Sequence, residues 1–144
     1  MSGAGTTVVR SIGLGKAAGL RSTWGVAGPV LSGEASSGAR VAVVAALLGE
    51  TVGDKHPAVP DRLSAMGLAP RLLSGALGAA TLARRTGVPV VLPALAGVTG
   101  AAVGAVVGRR WRTLAGQRIP DWQAALVEDV VAAALAVAAC RRTG

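Results

Sequence analysis

The sequence contains no Phe, no Tyr, one Cys, one His and only seven acidic residues among its 144 positions. With Trp24, Trp111 and Trp122 as its only aromatic side chains, it is short of the large apolar groups that usually fill a water-soluble core. Cys140 stands alone, which excludes a disulfide framework. One His and one Cys are too few for a His/Cys metal site, leaving an all-carboxylate cation site as the one metal chemistry open. His56 precedes Pro57 with no Ser or Cys placed beside it as a nucleophile. Neither an enzyme nor a cofactor is expected.

Ala, Gly and Val make up almost half of the chain, charged residues are 15%, and the mean hydropathy is +0.54. Such a composition excludes a disordered chain. An integral membrane protein is expected, with a soluble Ala-rich helical protein as the alternative. The net charge of +8 does not form a stripe. Its cations border apolar segments, as Arg84 and Arg85, Arg109, Arg110 and Arg112, and Arg141 and Arg142. Juxtamembrane charge is placed in that way, and Trp111 is the single aromatic residue within these clusters, too few to stack successive bases. The expected partner is therefore a lipid bilayer and not nucleic acid. A secretory signal peptide is not expected, because Arg10 is the first cation and Lys16 interrupts any apolar stretch.

The clearest element runs over 87–108, twenty-two residues without a charge between arginine pairs. As a helix it is about 33 Å long, enough for a hydrocarbon core of about 30 Å. Pro89 and Pro93 predict a kink in its first half. Gly97, Gly100, Gly104 and Gly108 form its packing face, since small residues at such spacing let helices approach closely in lipid. Intramolecular packing is the expected use of that face, and a homodimer or a membrane partner is the alternative.

A last helix is expected over 121–141, with Asp121 as N-cap and closing arginines at the negative end of its dipole. A third covers 37–54 and ends before Lys55, His56 and Pro57. Two weaker segments, 7–31 and 68–83, are interrupted by Lys16 and Arg21, or carry Pro70 and Arg71 near their start, and helix breaks are expected near Gly19, Pro29 and Pro93. The fold class is thus all-α: one membrane-embedded domain over 1–144, a Gly/Ala-packed bundle of four or five helices, some short or broken. Five spans, counted with the positive-inside rule, put the N-terminus in the cytoplasm, the C-terminus outside, and Trp111 and Trp122 at the cytoplasmic interface.

Glu50 and Asp54 are four residues apart and share a helix face, yet they stand at the end where the dipole disfavours carboxylates. In a five-span arrangement that end lies on the same side as Glu128 and Asp129, so the two pairs are expected to meet. Consecutive residues diverge by about 100°, so one of Glu128 and Asp129 is expected to face the site. Clustered intramembrane acids mark an ion or proton path by default. The alternative is a neutralised network in which Arg21, Lys55 and Arg71 pair with these acids and hold the helices together. The two function classes are therefore ion- or proton-coupled transport of a small solute, and a structural or accessory protein that associates through its glycine face.

The run Gly19-Leu20-Arg21-Ser22, the segment from Glu50 through Asp54-Lys55-His56-Pro57 to Pro60-Asp61-Arg62, then Arg71 and Val127-Glu128-Asp129 carry a family pattern. From about Val9 to Arg142 the chain resembles the bacterial membrane-protein family called domain of unknown function 4126. The Glu, Asp-Lys and Pro motif is the most specific part of the likeness, and the loop from Pro29 to Gly38 departs from the pattern. The resemblance implies an integral inner-membrane protein and supplies no activity.

Overall fold

A computed structural model describes residues 3–53 and 63–141. Among them are six α-helices and no strand: α1 (Gly3–Leu20), α2 (Trp24–Ser32), α3 (Ser37–Gly53), α4 (Ala65–Arg85), α5 (Val91–Ala115) and α6 (Asp121–Cys140). The all-helical class is as expected. Two of the helices, α5 and α6, are long and apolar enough to cross a membrane.

The break expected near Gly19 falls after Leu20 and divides the 7–31 segment into two helices, whereas Pro29 lies inside α2 and Pro93 in the first turn of α5. α1 closes with Arg21 N–H donating to Ala17 O, and α2 opens with Ala27 N–H donating to Thr23 O. Between them Trp24 N–H reaches only to Arg21 O, a tight turn at Arg21, Ser22 and Thr23. Ser and Thr favour such breaks because their side chains and freed amides find partners outside the helix.

The element expected from Gly87 begins four residues later, because Gly87 ends α4 instead of starting α5. Gly87 has φ +68°, a left-handed conformation open to Gly at little cost. Gly87 N–H donates to Arg84 O and Val88 N–H to Ala83 O, the two bonds of a Schellman stop. At its other end α4 is capped by Ser64, whose side chain accepts from Gly67 N–H at 3.2 Å.

α1 touches α2, α4, α5 and α6, whereas α3 packs on α2. The pairs in contact give the directions. Gly15 lies against Gly97 and Gly19 against Ala101 and Gly104, so α1 and α5 run parallel. Arg10 Nε donates to Ala139 O and Arg21 pairs with Asp129, so α1 and α6 run antiparallel. α2 turns back beside α4, with Gly25 on Ser74 and Arg85 Nη1 donating to Pro29 O.

The contacts between helices are made of very small groups. A Cβ on Gly15, Gly19, Gly78, Gly97, Gly100 or Gly104 would overlap backbone atoms of a neighbouring helix. Among the described residues, Leu14, Leu20 and Leu82 are the only large side chains in the buried hydrophobic set, and the rest are Ala and Cys140. Large aliphatic groups point outward instead: Leu92, Leu95 and Val107 on α5, Leu126, Val130 and Val137 on α6, and Leu73 and Leu77 on α4.

Candidate functional site

At the α1–α2 turn, charged side chains of α1, α3 and α6 converge. Arg21 closes α1 and is 3% exposed. Its Nε donates to Asp129 of α6 in an ion pair that spans 108 positions of sequence. The next two residues are held from another side. One oxygen of Glu50 on α3 accepts from Ser22 N–H and from Ser22 Oγ–H, each at 2.7 Å. The other oxygen accepts from Thr23 N–H at 3.0 Å.

This arrangement explains why Glu50 stands at the unfavourable end of its own helix. The first amides of a helix have no partner within it and carry a partial positive charge. Thr23 occupies the N-cap position of α2 without a side-chain cap bond of its own. Glu50 supplies that cap from α3, serving the start of α2 at the expense of the end of α3.

The turn lies half-way along the bundle. Eleven positions separate Arg10, at the end where it bonds Arg141 O, from Arg21, which is about 16 Å of helix. Gly19 meets α5 at Ala101, Gly104 and Ala105, and Asp129 is the ninth of twenty residues in α6. Unwound backbone thus sits beside the middles of α5 and α6 with a compensated charge on each flank.

A second charged group fastens the α5–α6 corner. Arg112 Nε donates to Glu128 Oε2 at 3.0 Å, and its Nη1 donates to Asp121 Oδ1 at 2.5 Å. Trp111 Nε1 donates to Ala124 O at 3.0 Å. The Glu128 side chain is fully buried, so Arg112 supplies charge where solvent does not reach. Asp121 is the first residue of α6, with Pro120 at the cap position, and its carboxylate binds Arg112.

The expected site is therefore divided. Of the consecutive acids, Asp129 faces the turn that Glu50 also grips, and Glu128 faces Arg112. Asp54 and Lys55 lie outside the described residues. Arg71 is buried on α4, with Nη1 donating to Gly67 O at 2.5 Å. No group of three His, Cys, Asp or Glu among the described residues is placed to hold a metal ion. Sequence reasoning assigned Arg112 to a membrane border and missed its role. Its separation from Asp121 by nine residues across a short helical corner was the available signal.

The glycine face is occupied within the chain. Gly97 rests on Gly75 of α4, Gly100 on Ile12 and Gly15 of α1, and Gly104 on Lys16 and Gly19. Gly108 is buried on the same helix.

Arg10 bears on topology as well. The five-span count placed it across the membrane from Arg141, whereas Arg10 Nη2 donates to Arg141 O at 2.7 Å. The break after Leu20 returns α2 to the end from which α1 began, so residues near both termini share one end of the bundle.

No family model, no curated protein and no solved structure matches the chain.

Proposed function

We propose that the chain is a multi-pass helical protein of the bacterial inner membrane, a member of the domain of unknown function 4126 family, that moves a small solute across the bilayer coupled to an ion or proton. The membrane assignment draws on the outward aliphatic side chains, the Gly/Ala contacts within, and the length and apolarity of α5 and α6. Between helices in lipid, close packing of small residues takes over from the hydrophobic force. Lys16 is exposed on α1 within two turns of Arg10, a distance that a long lysine side chain snorkelling towards the helix N-terminus can shorten.

The observation that carries the transport proposal is the α1–α2 turn at half depth, held by Glu50 and by the Arg21–Asp129 pair. Broken helices near the bilayer midplane are the usual place for substrate and coupling-ion chemistry in transporters. Ionised Glu50 accepts three hydrogen bonds from Ser22 and Thr23. A protonated carboxyl loses charge and acceptor capacity, so proton uptake at Glu50 loosens the turn and frees the α1–α2 hairpin to shift. In this scheme Asp129 and Arg21 form the second latch. Glu128 with Arg112 keeps α5 and α6 fixed, and the buried Arg71 of α4 adds positive charge within the bundle.

Proteoliposomes enclosing a pH-sensitive dye test this under an imposed membrane potential. Wild-type protein is expected to pass protons, and Glu50→Gln to abolish the flux while still inserting.

A second reading is favoured by a specific observation: Glu50, Glu128 and Asp129 each already have hydrogen-bond donors. On that reading the network is structural, and Glu50→Gln lowers stability without touching any flux. Accessory docking through Gly97, Gly100 and Gly104 would require opening the bundle, because that face is filled by α1 and α4.

A further inference from the structure

At the end of the bundle opposite Arg10, α5 presents Val106, Arg109, Arg110, Thr113 and Leu114 on one face, at spacings of three and four residues. Together with Leu63, just ahead of α4, they line a groove of about 580 Å³. Its walls are apolar at Val106, Leu114 and Leu63, and two consecutive guanidinium groups sit between them. No ion pair among the described residues involves Arg110. Below the arginines the same side of α5 continues as exposed aliphatic surface at Val103 and Leu95. Trp122, 63% exposed, lies at the start of α6 near the same end, where indole rings favour the headgroup layer.

We infer that this groove binds an anionic phospholipid, with the headgroup phosphate on Arg109 and Arg110 and an acyl chain along Val106 and Val103. A phosphate oxygen matches a guanidinium fork in charge and geometry, which a zwitterionic headgroup does with less net attraction. Basic pockets above lipid-facing helices select anionic headgroups for this reason. The apolar walls distinguish the groove from a site for free phosphate, since Val106 and Leu114 offer that ion no partner. The inference rests on the membrane assignment proposed above.

The test uses the full chain in detergent, with phosphatidylglycerol and phosphatidylcholine added at equal concentration and bound lipid counted by native mass spectrometry. One phosphatidylglycerol per chain is expected, preferred at least about tenfold over phosphatidylcholine. The preference is expected to vanish in Arg109→Gln/Arg110→Gln and to persist in Arg84→Gln, which removes an exposed cation at the other end. Equal binding of the two lipids by the wild-type chain overturns the inference whether or not the variants fold. So does an equal loss of preference in both variants. Carbonate extraction of cell membranes separates this from the underlying assignment. A chain that resists extraction but shows no preference refutes the groove alone, and one released without detergent refutes both.

Discussion

Arg21 and Asp129 form an ion pair at the point where α1 ends, with the Arg21 side chain 4% exposed and the Asp129 side chain 30% exposed. Removing Asp129 takes away a compensating charge from the buried Arg21 guanidinium, which costs more than the pair itself contributes. Asp129→Asn is therefore expected to destabilise the bundle by about 3 kcal/mol, discounted to about 2 by the partial exposure of Asp129. Thermal unfolding in detergent reads this directly. Replacing both partners with apolar residues, as Arg21→Met with Asp129→Leu, is expected to recover most of the loss. Failure of the double variant to recover would show that Arg21 serves another partner at the turn.

Glu50 acts on two amides of the α1–α2 turn. Glu50→Ala leaves Ser22 and Thr23 N–H groups without the acceptors they have now, at a cost of about 1 to 3 kcal/mol. Hydrogen exchange at these two amides is expected to rise selectively, while amides in the middle of α5 keep their protection. Uniform exchange across the bundle would mean that Glu50 holds the whole fold and not one turn.

Glycines at the helix contacts and glycines on α3 are expected to respond oppositely. A Cβ at Gly19 meets Ala101 O and the backbone of Gly104, so Gly19→Ala forces α1 and α5 apart. Gly38 and Gly49 have nothing within 4 Å of a Cβ, so Gly49→Ala is tolerated and gains about 0.5 to 1 kcal/mol of helix propensity. Gly104→Leu is expected to unfold the bundle and not to split an oligomer, since Gly104 faces Lys16 and Gly19 of the same chain. Size-exclusion chromatography alongside circular dichroism distinguishes these outcomes.

Arg112 bridges two acids of α6, one of them fully buried. Arg112→Gln is expected to destabilise more than Arg110→Gln, because Glu128 then keeps a buried charge without the Arg112 guanidinium. Matched thermal melts of the two variants give the comparison, and equal midpoints would contradict the bridge.

The helical class and most segments were legible because apolar runs bounded by arginines carry a strong compositional signal. The polar residues that matter were legible too, since Arg21, Glu50 and Asp129 are conspicuous in so apolar a chain. The break near Gly19 was legible as well, but what holds it was not, because the amides of Ser22 and Thr23 are satisfied by a carboxylate 28 and 27 positions away. The role of Gly87 was hidden for a related reason. A glycine at the start of an apolar run looks like part of it, and only the positive φ identifies it as the stop of the preceding helix. Five straight spans separate Arg10 from Arg141, and turning the chain back at the break near Gly19 reverses that conclusion.

That reversal provides the most direct test of a membrane bundle with its first helix turned back at half depth. Paired reporters, one active only outside the cytoplasmic membrane and one fluorescent only inside, would be fused in separate chains ahead of Ser2 and after Gly144. Both fusion points are expected to report the same side, because Arg10 and Arg141 meet at one end of the bundle. Opposite sides would contradict the half-depth turn and restore five straight spans.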